Sequence, residues 1–187
     1  MAASLRLRLK SSNVRELKKV AAFVFIACAV FFPQLFSTNS YDGRVVGVTD
    51  GDTLTLLTEG NSPMKIRLAD IDTPEFDQPY GSRAKQELSE LAFNKAARAL
   101  VEDTDKYGRK VARVFVGDVN VNAEMVRRGA AWVYRDYARD ISLFALEDEA
   151  WRAKRGLWAL PESERIPPWE WRHKAAKRED GKGGAVR

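Results

Sequence analysis

Between Thr49 and Glu75 the chain reads TDGDTLTLLTEGNSPMKIRLADIDTPE, which sets Asp50, Asp52, Asp70, Asp72 and Glu75, with Glu59 between them, around a lone Arg67. Acids placed at the two ends of short β-runs converge at the rim of a sheet, and that is the habit of a hard-metal site or an acid/base site. Any one of them alone reads as a hairpin turn or a solvated loop acid; their joint spacing is what points to chemistry. The rest of the composition narrows it. The single Cys, Cys28, lies in an apolar N-terminal run and the single His, His173, in a basic C-terminal run. An intrachain disulfide, a Cys/His zinc cluster and a Ser/His/Asp triad are therefore excluded. A general base in the body has to be Asp, Glu, Lys or Tyr.

The elements that position these residues follow from periodicity. Val46 and Val48 alternate, Asp50-Gly51 marks a hairpin, and Leu54 and Leu56 alternate with Thr53 and Thr55. After the loop Glu59 to Pro63, Met64, Ile66 and Leu68 share one face of a third strand, so Arg67 points to the other. A helix is expected after Pro79-Tyr80-Gly81-Ser82, with Ala84, Leu88, Leu91 and Ala92 inward and Glu87 and Glu90 outward. Two β-runs, Ala97 to Val101 and Lys110 to Val116, flank the loop Asp103 to Arg109. A short helix over Val121 to Arg128 ends at Gly129, and a last one starts at the N-cap Asp140 and stops at Gly156. Five strands with a helix between the third and fourth predict an α+β fold, a five-stranded OB-type Greek-key β-barrel with three helices, preceded by an N-terminal apolar leader. Trp151, Trp158, Trp169 and Trp171 are expected to act as core and clasp residues rather than as base-stacking surfaces.

Charge is distributed unevenly. Six of the 31 basic and one of the 26 acidic residues fall in residues 1–40, so residues 41–187 carry 25 of each sign. Six basic and two acidic groups then lie from Arg172 onward, which leaves the body from Tyr41 to Trp171 at −4. Bulk charge gives no argument for nucleic acid, and it speaks against a plain OB-type single-strand binder, which would need a basic groove. The leader is a basic segment followed by the apolar run Val20 to Phe36, the layout of a secretory signal or an uncleaved anchor. A cut after Thr38-Asn39-Ser40 and retention as a membrane anchor are equal alternatives, and both place the body outside the cytoplasm. A lipoprotein box ending at Cys28 and an organelle transit peptide fit less well, because the apolar block is solid and continues past Cys28. The expected division is a leader over 1–40, a domain over 41–172 and a basic flexible tail over 173–187.

Three motifs, DGDT at Asp50 to Thr53, RLADIDTPE at Arg67 to Glu75 and DKYGR at Asp105 to Arg109, occur in one order with EMVRRGAAWVY, RGLW and PPWEWR behind them. Together they resemble the thermonuclease family typified by staphylococcal nuclease, over about residues 43 to 172. The resemblance implies a calcium-dependent endonuclease that hydrolyses phosphodiester bonds of DNA and RNA, single strands preferred; a monomer is the expected state of the chain. It implies Asp52 and Asp72 as calcium carboxylates, the Thr73 carbonyl as a further ligand, and Asp50 behind them. By the same resemblance Arg67 and Arg109 grip the phosphate, Glu75 is the general base, and Lys106, Tyr107, Tyr134 and Tyr137 touch the substrate. The segment Phe76 to Ser82 and the lead into DKYGR are shorter than the family pattern, and both border the substrate groove.

Those roles agree with elementary chemistry. Calcium takes hard oxygen ligands, and two guanidiniums can hold one phosphate and stabilise the charge of an in-line transition state. With no His in the body, a carboxylate must take the proton from water. The alternative reading is a non-catalytic nucleic-acid or protein binding module on the same barrel; the intact set of carboxylates and both arginines favours the enzyme.

Overall fold

The computed structural model describes residues 39–183, so the leader, with its expected cleavage or anchoring, lies outside the described residues except for Asn39 and Ser40. In chain order the strands are β1 (Asn39–Val48), β2 (Thr53–Thr58), β3 (Pro63–Leu68), β4 (Ile71–Asp72), β5 (Ala96–Thr104), β6 (Lys110–Val116), β7 (Val119–Asn120) and β8 (Trp132–Val133). The α-helices are α1 (Gly81–Ala92) between β4 and β5, α2 (Val121–Arg127) after β7, α3 (Ser142–Arg152) and α4 (Pro168–Gly183).

Leu54, Leu56, Ile66 and Leu68 alternate inward to zero exposure on β2 and β3. β1 pairs antiparallel with β2 and with β5, and β5 with β6. β3 then meets β6 in parallel, Arg67 opposite Val111 and Leu68 opposite Ala112, which closes five strands into a mixed barrel. This is the expected OB-type α+β fold. Closure leaves no long free edge to template aggregation, and the parallel β3–β6 register sets the start of β6, just after the β5–β6 turn, beside the end of β3. The helices cap the core: Leu88 of α1, Met125 and Val126 of α2 and Leu143 of α3 are buried against the barrel residues.

Three details depart from the local patterns. Val45, not Val46, enters the core, and Val46 is 44% exposed, because a bulge between Val45 and Gly47 shifts the register against β2. Glu87 is buried rather than outward, since Arg128 at the end of α2 meets it at 2.9 Å and Arg83 approaches at 3.4 Å. The expected helices are all present, but α4 follows them, running from Pro168 through the segment expected to be a loose tail as far as Gly183. Trp158 is buried edge-on to Trp132 at 4.4 Å, as a core residue should be, whereas Trp151 is 52% exposed.

Helix α3 begins two residues after Asp140, whose Oδ1 accepts bonds from the Ser142 backbone N–H at 3.0 Å and from Ser142 Oγ at 2.6 Å. These bonds hold the Asp140 carboxyl below its ordinary value. Asp140→Ala should destabilise the fold by about 1 kcal/mol, as loss of an end-capping acceptor does. Because the folded-state pKa is depressed, that contribution is present above the unfolded carboxylate value and lost as pH falls through the folded one. Urea unfolding of both proteins should show the gap at neutral pH and its closure in acid.

Candidate active site

The β1–β2 turn carries the first acids. Asp50 Oδ1 accepts the Asp52 backbone N–H at 3.1 Å, which folds the turn on itself, and Gly51 is needed there because a Cβ would lie 2.7 Å from Thr73 Oγ1. That close approach docks the turn on the segment after β4. Asp52 Oδ2 accepts the Thr73 N–H at 3.2 Å and Oδ1 accepts Thr53 Oγ1 at 3.1 Å, so Asp52 and Thr73 are locked together although 21 residues separate them.

Arg67 projects from β3 on the side away from Ile66 and Leu68. Its Nη1 donates to the carbonyls of Leu68 and Ile71, and Nη2 donates to Asp72 Oδ1 at 2.9 Å and lies 3.5 Å from Asp52 Oδ2. Burial works against the Arg67 charge, but Asp52 and Asp72 outweigh it and push its pKa up. One guanidinium nitrogen thus marks the point on which both carboxylates converge.

Arg109 arrives from the β5–β6 turn. Asp105 accepts the backbone N–H groups of Tyr107 and Arg109, each at 2.9 Å, and Arg109 Nε at 2.7 Å. Burial opposes these bonds, yet they win and hold the Asp105 carboxyl below its ordinary value. Arg109 Nη1 donates to Thr53 Oγ1 at 3.2 Å, so Thr53 links this arginine to Asp52. Among the described residues Nη2 of Arg109 has no protein partner and is available to a ligand.

All the residues expected from sequence line one cleft of about 630 Å³: Asp50, Asp52, Arg67, Asp72, Thr73, Glu75, Lys106, Tyr107, Arg109, Tyr134 and Tyr137. Tyr107 and Tyr137 are 73% and 67% exposed at its rim. Tyr134 and Tyr137 lie with ring centroids 4.7 Å apart, and the Arg67 guanidinium stands 6.0 Å from the Tyr134 ring. Lys106 and Arg109 flank the Tyr107 ring at 5.1 and 5.6 Å.

Asp70, one of the original acids, is used otherwise. It adopts a left-handed backbone (φ 66°) and its Oδ1 accepts the Arg139 N–H at 2.7 Å, which ties the β3–β4 turn to the chain after β8. Two helpers were hidden in recognised motifs: Thr53 within DGDT and Asp105 within DKYGR. A third residue, Arg172, sits in PPWEWR and was counted only as the first charge of a basic tail. It comes from α4 and donates to Asp72 Oδ2 at 2.8 Å and to Glu75 Oε1 at 2.7 Å.

The donor set fits a hard cation. Burial pushes the Asp50 carboxyl up and the charge of Asp52 adds to it; burial pushes Asp72 up as well, with Asp52 again adding and Arg172 and Arg67 opposing. Crowded, partly desolvated carboxylates of this kind gain from a bound cation. Asp52, Asp72 and the Thr73 carbonyl supply only oxygen, as calcium prefers. Among the described residues no three His, Cys, Asp or Glu side chains form a ready-made shell, so any such ion would be completed by water or ligand oxygens.

The family described as staphylococcal nuclease homologue matches residues 65–160. An uncharacterized endonuclease of Haemophilus influenzae is 42% identical over 129 residues, covering 69% of this chain and 71% of its own. An uncharacterized endonuclease of Escherichia coli O157:H7 is 42% identical over 133 residues, 71% of this chain and 85% of its own. A micrococcal nuclease of Shigella flexneri is 37% identical over 172 residues, 86% of this chain and 94% of its own.

Proposed function

The chain belongs to the staphylococcal nuclease family, a family of nucleic-acid-hydrolysing nucleases, and from that premise we propose that it is a calcium-dependent endonuclease acting on single-stranded DNA and RNA. The observation that carries this reading is the convergence of Asp52 from the β1–β2 turn, Arg67 from β3, Asp72 and Glu75 from β4 and the segment after it, and Arg109 from the β5–β6 turn on one cleft.

Asp52 and Asp72 with the Thr73 carbonyl would hold the calcium, and Asp50 would support them by fixing the Asp52 backbone. When bound, calcium supplies polarisation of a non-bridging phosphate oxygen. Arg67 and Arg109 approach the phosphate from β3 and from the β5–β6 turn, and their fixed forks suit the charge that grows on its equatorial oxygens. Arg109 donates through its unpartnered Nη2. Glu75 takes a proton from water as the water oxygen bonds to phosphorus, and the bond to the leaving oxygen breaks on the opposite side, that oxygen then taking up a proton from solvent. Exposed faces of Tyr107 and Tyr137 at the rim suit unstacked bases, which supports the single-strand preference.

Incubating residues 39–187 with labelled single-stranded oligonucleotide should give cleavage with calcium and none with chelator. Absence of cleavage, or cleavage that chelation leaves unchanged, contradicts the reading. The basic-then-apolar leader supports a site of action outside the cytoplasm, whether secreted, periplasmic or anchored. Membrane fractionation with N-terminal sequencing tests it, and a soluble cytoplasmic protein with an intact leader would refute it.

A further inference from the structure

Glu75 stands on a segment without regular structure between β4 and α1, and its side chain is 40% exposed. A glutamate in such a place has three free torsions, and fixing it in one position costs on the order of 1.5–2 kcal/mol. A general base has to be within hydrogen-bond reach of the proton it takes. Among the described residues the partner of the Glu75 carboxylate is Arg172, 2.7 Å away. The same guanidinium uses its other terminal nitrogen on Asp72 Oδ2 at 2.8 Å, so it bridges the two carboxylates as a fork.

The helix that brings Arg172 is itself fixed on the segment it serves. The Glu75 N–H donates to Gln78 Oε1 at 3.1 Å, and Gln78 Nε2 donates to the Ile166 carbonyl just before α4. Trp171 Nε1 donates to Asp77 Oδ1 at 3.3 Å. Trp169 stacks on Tyr134 with parallel rings at 5.4 Å and meets Trp132 edge-on at 6.0 Å. Burial disfavours the Arg172 charge, but its bonds to Asp72 and Glu75 outweigh that and push its pKa up.

We propose that Arg172 is a positioning residue of the reaction, carried in by α4 to hold the Glu75 carboxylate where it meets the attacking water. The proposal rests on the reading of Glu75 as the general base. Among the described residues Arg172, unlike Arg67 and Arg109, bonds the Glu75 carboxylate directly, so it acts through Glu75. It also competes with a cation for one oxygen of Asp72.

The test uses the full-length chain, cleaving a single-stranded oligonucleotide with calcium, and compares Arg172→Ala, Arg172→Lys, Glu75→Gln and the Arg172→Ala/Glu75→Gln double variant. Arg172→Ala should lower kcat about tenfold or more with KM changed by less than about threefold, and Arg172→Lys should recover part of the loss. In the Glu75→Gln background Arg172→Ala should change kcat by less than about twofold, because the group it serves is already gone. Calorimetric titration with calcium alone should show Arg172→Ala binding at least as tightly as the wild type. A loss that multiplies that of Glu75→Gln, a raised KM with unchanged kcat, or weakened calcium binding would each overturn the proposal. Failure of the underlying reading has a different signature: a wild type that does not cut, or Glu75→Gln within about tenfold of wild type, removes Glu75 as the base and the proposal with it.

Discussion

Arg109→Ala is expected to lower kcat on single-stranded DNA by about 10² to 10³, equivalent to about 3–4 kcal/mol of transition-state stabilisation, as loss of a preorganised donor to a developing oxyanion does. The size of the effect follows from how the arginine is held. Its Nε is fixed on Asp105 and Nη1 on Thr53, which leaves Nη2 to face the cleft without rearrangement when charge grows on the phosphate. KM should change less than kcat, because a contact that strengthens in the transition state lowers both kcat and kcat/KM. Arg109→Lys should not restore the rate, since an ammonium cannot bond Asp105, Thr53 and phosphate in one plane. The turn should survive the change, because Asp105 still accepts the N–H groups of residues 107 and 109, and the thermal midpoint therefore serves as the control. Activity of Arg109→Ala within tenfold of wild type, an outcome far below the range expected of a transition-state donor, means that the phosphate clamp is misassigned.

Asn122→Ala is expected to destabilise the fold by about 2–4 kcal/mol, an effect of the size produced when buried polar groups lose their partners. Asn122 is 2% exposed near the start of α2. Its Oδ1 accepts the Val114 N–H of β6 at 3.0 Å, and its Nδ2 donates to the carbonyls of Ala69 at 3.0 Å and Ala112 at 3.2 Å. One amide thus joins the helix, β6 and the turn that leads from Arg67 to Asp72. Ala112 still has the Ala69 N–H as a donor after the change, but the Val114 N–H and Ala69 carbonyl lose the amide that served them. Asn122→Asp should be no better, because a carboxylate there has no proton to offer the two carbonyls and would be buried without a cation. Urea unfolding measures the effect as a lower midpoint at constant m. A change below about 1 kcal/mol would show that water reaches these groups and takes over the bonds.

How far such residues could be read in advance depends on the range of the signal. Leu54, Leu56, Ile66 and Leu68 declare their direction through a period of two, and Leu88 and Leu91 through a period of 3.6, because those repeats are properties of the local backbone. Val45 escaped the rule, since the bulge that turns it inward is a matter of register against β2. Glu87 escaped it too: a carboxylate on a helix is expected in water unless a partner waits across the interface, and Arg128 is 41 residues away.

The same division runs through the site. By itself the sequence determined which groups are present for chemistry: the acids of DGDT and DTPE, Arg67 on a strand face opposite the core, Arg109 at the end of the loop between two β-runs, and no His in the body. Those are facts of residue type and short spacing, and they also established the barrel order and the family. The tertiary structure decided which of these groups meet. The parallel contact of β3 with β6 brings Arg67 and Arg109 to one cleft, Gly51 lets the first turn press on Thr73, and Asp70, at the same cleft, gives its Oδ1 to the Arg139 N–H. It alone brings Arg172 across 97 residues to Glu75. No pattern of local spacing encodes that contact, because it depends on where α4 lands, and that is settled by Trp169 on Tyr134, Trp171 on Asp77 and Gln78 on Ile166.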